Sequence, residues 1–197
     1  MTARAVIVAA GGANFGSLIH ACRRVGVEAE PALDASRIRA ATHVLLPGVG
    51  AAGHAMRALR EAGLDRVLGS LRQPLLGICL GMQVLFEHSE EDETECLGLV
   101  PGRVRRLGPA PRWPNMGWSP ITACAAHPLL GDDGDGEWFY FVHGYAAPVG
   151  ADTIAVSAHG GPFSAAIARD NVFGVQFHPE KSSAAGRRLL SHFFAIS

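Results

Sequence analysis

The sequence predicts an α/β fold in which a mostly parallel central sheet is flanked by helices, with additional antiparallel strands in the second half of the chain. Two observations carry this prediction. Short apolar runs alternate with helical patterns in the first half, whereas strands separated by turns follow in the second half. Because the chain contains no internal repeat, low-complexity tract or linker-like stretch, we expect one domain over residues 1–197.

The first half begins with an apolar run at residues 5–10, predicted as a strand, and a helical pattern from Leu18 to Val25 that Gly26 ends. Further strands are predicted at residues 27–30, 43–46 and 75–78, and further helices at residues 54–62 and 80–86. This alternation of strands and helices implies a parallel sheet that is covered on both faces.

The second half is richer in strands. They are predicted at residues 104–107, 138–142, 153–157, 163–168 and 172–177. Turn sequences such as Gly160-Gly161-Pro162 and Asp170-Asn171 separate them, so we expect antiparallel additions at an edge of the sheet. A closing helix is predicted at residues 183–194.

The charge balance narrows the range of partners. Lys and Arg number 17 against 18 Asp and Glu, with no basic face for nucleic acid, so small or uncharged substrates are favoured. The amino-terminal apolar run leads into glycines rather than a cleavage site, and the stretch 75–86 is shorter than the roughly 20 residues that cross a bilayer. We expect a cytoplasmic protein that binds neither nucleic acid nor membrane.

The cysteines do not predict a fold that is held together by disulfides or by zinc. Cys22, Cys79, Cys96 and Cys124 show no C-x-x-C spacing, so neither a zinc module nor a disulfide scaffold is indicated. With 48% hydrophobic residues, a chain of this length buries a sufficient core without them. No metal is expected.

Two glycine-rich segments are weak signals for nucleotide binding. Residues 48–53 have the pattern G-x-G-x-x-G, but acidic residues about 20 positions later, such as Asp65, do not follow a second strand. Residues 11–16 follow the first strand, but Ala13 replaces the middle glycine. We favour the interpretation that these glycines permit tight turns, and a non-catalytic nucleotide-binding or interaction module remains the alternative.

Cys79 is the candidate nucleophile. Gly77-Ile78-Cys79-Leu80-Gly81 has the G-x-nucleophile-x-G form of a nucleophile elbow, in which small neighbours allow a strained turn between strand and helix. We expect the thiol to face solvent at the carboxyl end of the strand, where helix N–H groups favour a thiolate and can hold an oxyanion. The other three cysteines fit inert core residues.

His178 is the candidate proton carrier. It lies in Gln176-Phe177-His178-Pro179-Glu180, where residues two apart share a face of an extended chain, so the Glu180 carboxylate can orient the imidazole. With Cys79 supplied from 99 residues upstream, the set matches a nucleophile, a base and an orienting acid. A surface turn is the structural alternative, and a metal pair lacks further ligands at a recognisable spacing.

Six motifs are spread over almost the whole chain. They are residues 11–17, 47–50 with Ala55-Met56, 77–83, 115–118, 140–145 and 176–182. Together and in this order they resemble the class I, triad-type glutamine amidotransferases and, within them, the glutaminase subunits of imidazole glycerol phosphate synthase. The elbow and the His-Pro-Glu sequence indicate the class, whereas Pro-Gly-Val-Gly and Met-Gly-Trp point to the subfamily.

The resemblance implies a flavodoxin-like three-layer fold, no cofactor, and hydrolysis of L-glutamine to glutamate and ammonia through a glutamyl thioester. Ammonia would pass to the (βα)8-barrel cyclase subunit of imidazole glycerol phosphate synthase, in a heterodimer. That partner would make imidazole glycerol phosphate and aminoimidazole carboxamide ribotide in histidine biosynthesis. The enzymatic alternative, the glutaminase subunit of pyridoxal 5'-phosphate synthase, is disfavoured by Met82-Gln83 and Met116-Gly117-Trp118.

Carried over by motif position, the resemblance assigns roles to four groups of residues. The catalytic residues are Cys79, His178 and Glu180. The oxyanion hole comprises Val49, Gly50 and Leu80. Substrate is framed by Gln83, Glu91, Gly144 and Tyr145, with Glu91 suited to an α-ammonium group. Asn14, Trp118 and Lys181 face the partner.

Three segments depart from the family pattern. Ala9-Ala10-Gly11 replaces Asp-Tyr-Gly, residues 115–119 read Asn-Met-Gly-Trp-Ser instead of His-Met-Gly-Trp-Asn, and Gly144 replaces a serine. None of these changes removes a member of the triad. They therefore bear on partner docking and ammonia gating rather than on thiol chemistry.

Overall fold

The structure is a computed structural model that describes residues 4–10, 14–132 and 134–197. Within these residues the chain forms fourteen strands and six α-helices. The strands are β1 (Arg4–Val8), β2 (Glu28–Ala32), β3 (His43–Gly48), β4 (Leu75–Cys79), β5 (Phe86–Ser89), β6 (Thr94–Glu95), β7 (Val100–Arg106), β8 (Asn115–Pro120), β9 (Thr122–Ala123), β10 (Trp138–His143), β11 (Tyr145–Ala146), β12 (Thr153–Ala158), β13 (Pro162–Arg169) and β14 (Val172–Val175). The helices are α1 (Phe15–Arg24), α2 (Ala35–Ala40), α3 (Ala52–Glu61), α4 (Leu64–Gly69), α5 (Leu80–Gln83) and α6 (Ser183–Ala195), with 3-10 turns at Glu91–Glu93 and Pro179–Lys181.

The largest sheet has the strand order β2-β1-β3-β4-β14-β13-β12-β9. Its first five strands are parallel, and the remaining three continue the sheet in antiparallel fashion. This arrangement confirms the predicted α/β fold with antiparallel additions. β4, which ends at Cys79, lies between β3 and β14. Because these three strands are parallel, the segments that follow them meet at the carboxyl ends of the strands.

Each face of the large sheet carries its own core, because alternate residues of a strand point to opposite faces. On one face Ile7 and Leu45 pack with apolar residues of α1 and α6. On the other face Val8 and Leu46 pack with apolar residues of α3 and α4. The sheet is therefore covered on both sides, as the alternation of strands and helices predicts.

Two smaller sheets lie beside the large one. β8 and β10 form an antiparallel ribbon, and the other sheet has the order β11-β7-β5-β6. The predicted strands at 104–107 and 138–142 therefore belong to separate sheets and do not extend the edge of the large sheet. β8 was not predicted, because its large apolar residues Met116 and Trp118 point outward and are 64% and 48% exposed. A strand with this pattern lacks the apolar inward face by which strands are recognised.

The helix predicted at residues 80–86 is shorter in the structure, where α5 ends at Gln83. The backbone N–H groups of Leu97 and Leu99 donate to the carbonyl oxygens of Val84 and Leu85, at 2.9 and 2.8 Å. Residues 84 and 85 therefore belong to the chain that leads to β5 and do not continue α5. A short buried apolar run has the same appearance in a helix and in a strand. The six-residue helices α2 and α4 are too short to produce a helical periodicity, and they were not predicted.

The cysteines differ in burial. Cys22 lies in the core as expected, but Cys96 is half-buried and Cys124 is exposed, so the prediction that these two are core residues is wrong. Burial raises the pKa of the Cys22 thiol to about 12. No cluster of three or more His, Cys, Asp or Glu side chains that could hold a metal ion occurs among the described residues. Helices in the same residues are too short or too polar to cross a membrane.

Candidate active site

Cys79 occupies a sharp bend between β4 and α5. Its φ of 56° and ψ of −113° lie in a region that side-chain-bearing residues rarely adopt. The flanking glycines allow the bend, since a Cβ on Gly77 would come within 2.7 Å of the Gly81 carbonyl oxygen. A Cβ on Gly81 would in turn collide with the Leu46 carbonyl oxygen in β3. The chain therefore turns here only because both positions lack a side chain.

The Cys79 thiol is covered rather than facing solvent, which corrects the sequence prediction. The residue is 7% exposed, and its Sγ lies 3.6 Å from the Val142 carbonyl oxygen in β10. The ribbon formed by β8 and β10 passes over the end of β4, and the position of this ribbon could not be deduced from the elbow sequence. The nucleophile is thus buried beneath the ribbon, where water has little access to it.

His178 reaches the Cys79 side chain from the chain that leaves β14, the neighbour of β4 in the sheet. Its backbone N–H donates to the Tyr140 carbonyl oxygen at 2.9 Å, and Ser182 Oγ donates to the His178 carbonyl oxygen at 2.7 Å. The same hydroxyl accepts from the Tyr140 N–H at 3.0 Å. These bonds tie the segment that bears His178 to β10, so the imidazole and the ribbon are held as one unit.

Glu180 orients the His178 imidazole. His178 Nδ1 lies 2.8 Å from Glu180 Oε1, and both side chains are 9% exposed. With Nδ1 bonded to the carboxylate, Nε2 is the ring nitrogen that can exchange a proton with the sulfur. The Cys79 side chain is the other hydrogen-bond partner of the His178 ring, so the structure brings together all three residues predicted as the triad.

The charge state of His178 follows from these contacts. Burial alone would lower its pKa, but interaction with the Cys79 sulfur and with the Glu180 carboxylate raises the pKa of His178 to about 10. The imidazole is therefore held in its protonated form at neutral pH. A protonated histidine beside a cysteine stabilises the thiolate, which is the nucleophilic form of the thiol.

The residues predicted for an oxyanion hole lie beside the nucleophile. Gly48, at the end of β3, pairs with Cys79 in the sheet, and Val49 and Gly50 follow it. Gly50 has a φ of 90°, and the Val49 side chain is 47% exposed. Leu80 follows Cys79 directly and opens α5. Gly48 and Val49 also line a small cavity together with His178 and Glu180.

Gln83 is buried behind the nucleophile and is bonded on both sides. Its Nε2 donates to the Tyr145 carbonyl oxygen at 2.7 Å and to Gln176 Oε1 at 3.0 Å. Gln176 Nε2 in turn lies 3.8 Å from Cys79 Sγ. Sequence reasoning gave no role to Gln176, although the spacing rule that pairs His178 with Glu180 also places residue 176 on the same face.

Glu91 lies against the beginning of α3. Its Oε2 accepts from the Ala52 N–H at 2.8 Å, and a Cβ on Gly53 would come within 3.2 Å of Asp92 Oδ2. The pKa of Glu91 is raised overall. Burial is the largest cause, the bond from the Ala52 N–H opposes it, and the charge of Asp92 adds to it. Carboxylates therefore fill the helix end where the G-x-G-x-x-G pattern would place a pyrophosphate, which opposes nucleotide binding there.

Two of the departures from the family pattern have structural partners. Asn115 Nδ2 lies 2.9 Å from His143 Nε2, and His143 Nδ1 lies 2.8 Å from the Tyr145 carbonyl oxygen. Burial, the first of several causes, lowers the pKa of His143 to about 4, so the ring is neutral and Nδ1 carries its proton. Gly144 lies beneath the indole of Trp113. The third departure is partly outside the described residues, which omit Gly11, Gly12 and Ala13.

The residues predicted to face a partner lie on one outer surface. Trp118 packs edge-on against Tyr140, with ring centroids 6.1 Å apart, and Lys181 Nζ lies 5.8 Å from the centroid of the same ring. Asn14 bonds to the Ser17 N–H at the beginning of α1. Asn14 and Lys181 also line a cavity of about 30 Å³ that His178 and Glu180 share. We call Asn14, Met116, Trp118, Tyr140 and Lys181 the outer face.

The chain is similar to known proteins over nearly its full length. The model of the family "Glutamine amidotransferase class-I" matches residues 6–196. The imidazole glycerol phosphate synthase subunit HisH of Xanthomonas euvesicatoria pv. vesicatoria is 50% identical over 193 residues, which cover 97% of this chain and 96% of that protein. The protein of the same name from Xylella fastidiosa (strain Temecula1) is 49% identical over 192 residues, 96% of each chain.

Solved structures share the fold at much lower identity. A putative GMP synthase protein from Thermoplasma acidophilum matches with a TM-score of 0.75 and 18% identity, over 99% of this chain and 94% of that one. The structure of PurLQS from Thermotoga maritima matches with a TM-score of 0.73 and 19% identity, over 99% of both chains. At such low sequence identity these structural similarities are evidence for the fold alone.

Proposed function

The chain belongs to the class I glutamine amidotransferase family, and from this premise we propose that it hydrolyses L-glutamine as the glutaminase subunit of imidazole glycerol phosphate synthase. The products are glutamate and ammonia. Relatives named as this subunit are 50% identical over 97% of the chain, which supports this assignment within the family. The protein acts in histidine biosynthesis, for which a cytoplasmic location is expected.

The observation that carries the chemistry is the contact between the Cys79 elbow and the His178–Glu180 pair. A strained bend presents the sulfur, a buried carboxylate holds the imidazole by its Nδ1, and the imidazole in turn bonds to the Cys79 side chain. The thiolate attacks the γ-amide carbonyl carbon of glutamine, and the bond to nitrogen breaks as His178 Nε2 donates its proton to the leaving ammonia. The intermediate that remains is a glutamyl thioester on Cys79.

The second half of the reaction uses the same residues. After ammonia leaves, neutral His178 takes a proton from water, which attacks the thioester and releases glutamate. The oxyanion of both tetrahedral intermediates is held by the Leu80 N–H and by an N–H group of Val49–Gly50. One such donor is worth about 2.7–4 kcal/mol of the barrier, so a peptide flip at Val49–Gly50 would switch the activity.

Gln83, Glu91, Gly144 and Tyr145 would hold the glutamine substrate. Because both hydrogens of Gln83 Nε2 are bonded within the protein, Gln83 would use its Oε1 to accept from the substrate. Glu91 gives Oε2 to α3 and would offer Oε1 to the α-ammonium group. Gly144 and Tyr145 would complete the frame around the substrate.

The partner is the cyclase subunit of imidazole glycerol phosphate synthase, a (βα)8 barrel, in a heterodimer. We place it on the outer face, where Met116 and Trp118 expose large apolar side chains beside Lys181, since exposed aromatic and basic residues of this kind are typical of interfaces. The cavity between His178 and Asn14 holds about one small molecule and would let ammonia leave on this side. Strands from both halves of the chain share the large sheet, which supports the proposal of one domain over residues 1–197.

Glutaminase assays with and without partners test this proposal. The purified protein should release glutamate slowly on its own and faster with the cyclase subunit, whereas Cys79→Ala should release none. Activation by the barrel subunit of pyridoxal 5'-phosphate synthase, and not by the cyclase, would favour the other glutaminase. Full turnover without a partner would refute control by the partner.

A covalent probe separates enzyme from binding module. A glutamine-mimicking electrophile should label Cys79, and glutamine should protect against labelling. A Trp118→Ala variant should be labelled like the natural protein but respond less to the cyclase. Absence of label on Cys79, or labelling that glutamine does not change, would favour a non-catalytic module.

A further inference from the structure

We propose that Gln176 is a further catalytic residue, which donates a hydrogen bond to the Cys79 sulfur and holds it as a thiolate, and that Gln83 sets the orientation of Gln176. The inference deepens the proposed glutaminase function and rests on it for its catalytic meaning. Its physical basis is a chain of hydrogen bonds that runs from Tyr145 through both glutamines to the sulfur.

The direction of this chain is set by an atom that can only accept. The Tyr145 carbonyl oxygen lies 2.7 Å from one end of the Gln83 amide, so that end must be the NH2 group. The second hydrogen of the same nitrogen points to the Gln176 amide at 3.0 Å, and the atom that receives it must be Oε1. Gln176 therefore turns its own NH2 group toward Cys79, 3.8 Å from the sulfur.

A second set of bonds fixes the starting point of the chain. His143 also donates to the Tyr145 carbonyl oxygen, at 2.8 Å, and this uses the second lone pair of that oxygen. Gln176 is fully buried and Gln83 is nearly so, which keeps water from competing for these groups. A reversed Gln176 amide would place its NH2 group against the NH2 group of Gln83 and leave both of these buried donors without an acceptor at this contact, at a cost that excludes it.

The sulfur lies between an acceptor and a donor. A neutral thiol can donate its S–H to the Val142 carbonyl oxygen, 3.6 Å away, whereas a thiolate cannot. The Gln176 N–H group interacts best with the charged sulfur, because a hydrogen bond to the charged form favours that form. Together with protonated His178, Gln176 thus opposes the preference of the Val142 carbonyl for the thiol.

The test measures the pH dependence of Cys79 alkylation by iodoacetamide in the full chain, read by mass spectrometry of the Cys79 peptide. This readout follows the thiolate and needs no turnover of glutamine. Gln176→Glu keeps the shape and the acceptor for Gln83 but turns a carboxylate oxygen toward the sulfur. Its alkylation midpoint should rise by about one pH unit or more, equivalent to about tenfold less thiolate at pH values below the midpoint. Gln176→Leu should shift it in the same direction.

A matched control uses the same substitution elsewhere. Gln73 is half-buried and bonds to the Ile38 carbonyl oxygen, and Gln73→Glu should leave the midpoint unchanged. Gln83→Met frees Gln176 to rotate and should raise the midpoint by a smaller amount. This variant keeps the test decisive if Gln176→Glu does not fold, as judged by circular dichroism.

The outcomes separate this inference from the proposed function. Folded Gln176 or Gln83 variants with an unshifted midpoint would overturn the inference, even if their glutamine turnover falls, because the residues would then serve packing alone. A shifted midpoint in a protein that does not hydrolyse glutamine under any condition would uphold the contact with the sulfur. In that case the proposed function alone would fail.

Discussion

The indole of Trp113 lies directly against Gly144, where a Cβ atom would come within 2.6 Å of the ring carbon Cζ2. The Arg106 guanidinium covers the same ring, 4.7 Å from its centroid. Trp113 belongs to the connection between β7 and β8, and Gly144 links β10 to β11. The glycine that departs from the family pattern is thus matched by an aromatic residue from another part of the chain.

This contact predicts that the two positions depend on each other. Gly144→Ser should lower the free energy of unfolding by about 1–3 kcal/mol, because the new side chain must displace the Trp113 ring. In a Trp113→Ala background the same change should cost less. Urea unfolding of the natural protein, both single variants and the double variant measures the coupling, and strictly additive effects would contradict it.

Glu180→Gln should reduce glutaminase turnover by about 10³–10⁴-fold, because the amide no longer holds His178 in the orientation and charge state that proton transfer needs. Turnover with saturating glutamine and the cyclase subunit measures this loss. The same substitution should lower the pKa of His178, whose raised value depends in part on Glu180.

A stability experiment checks the same pair without catalysis. A raised histidine pKa stabilises the folded state fully below the ordinary value of 6.5, and this contribution is lost as the pH rises through about 10. The stability gap between the natural protein and Glu180→Gln should therefore shrink from pH 6.5 to pH 10. A gap that stays constant over this range would show that His178 is not the group concerned.

The lowered pKa of His143 predicts that acid destabilises the folded protein, whereas the raised pKa of His178 predicts a loss of stability at high pH. Its pKa is lowered to about 4, so between pH 6.5 and pH 4 the unfolded chain binds a proton that the folded protein does not. Stability should fall on acidification over this window, by at most about 1.4 kcal/mol per pH unit from this group. His143→Gln keeps a donor and an acceptor without titrating, and its urea midpoint should be less sensitive to acid. Equal acid sensitivity in both proteins would refute the prediction.

Glu91 is predicted to combine two roles that one substitution can separate. Glu91→Gln keeps an oxygen for the Ala52 N–H, so the free energy of unfolding should fall by no more than about 1 kcal/mol. If the carboxylate binds the α-ammonium group, the KM for glutamine should rise while kcat changes little. Steady-state kinetics with the cyclase subunit measures both constants. An unchanged KM would leave Glu91 as a helix cap only.

The sequence was most informative where chemistry restricts the choice of residue. Gly77 and Gly81 predicted the elbow because a side chain at either position would collide with nearby backbone. His178 and Glu180 were paired by the two-residue spacing of an extended chain, and they lie 2.8 Å apart. The parallel sheet was predicted from alternation, which reports burial on both faces.

The rest depends on contacts between distant parts of the chain. The burial of Cys79 is caused by β10, whose carbonyl at Val142 lies 63 positions away along the sequence. The small sheets were missed because Met116 and Trp118 face outward and because the run at residues 84–86 reads equally well as helix or strand. The Asn115–His143 bond also joins residues whose proximity no local pattern records.

β14 pairs directly with β4, with Val175 opposite Ile78, so Cys79 ends one strand and His178 follows the neighbouring strand, 99 positions later in the sequence. A ribosome must therefore complete nearly the whole polypeptide before the acid–base partner can reach the sulfur. Nascent chains and proteolytic fragments that stop short of residue 172 contain the elbow but no proton carrier. Incomplete copies of the protein would thus be unable to waste glutamine in the cell.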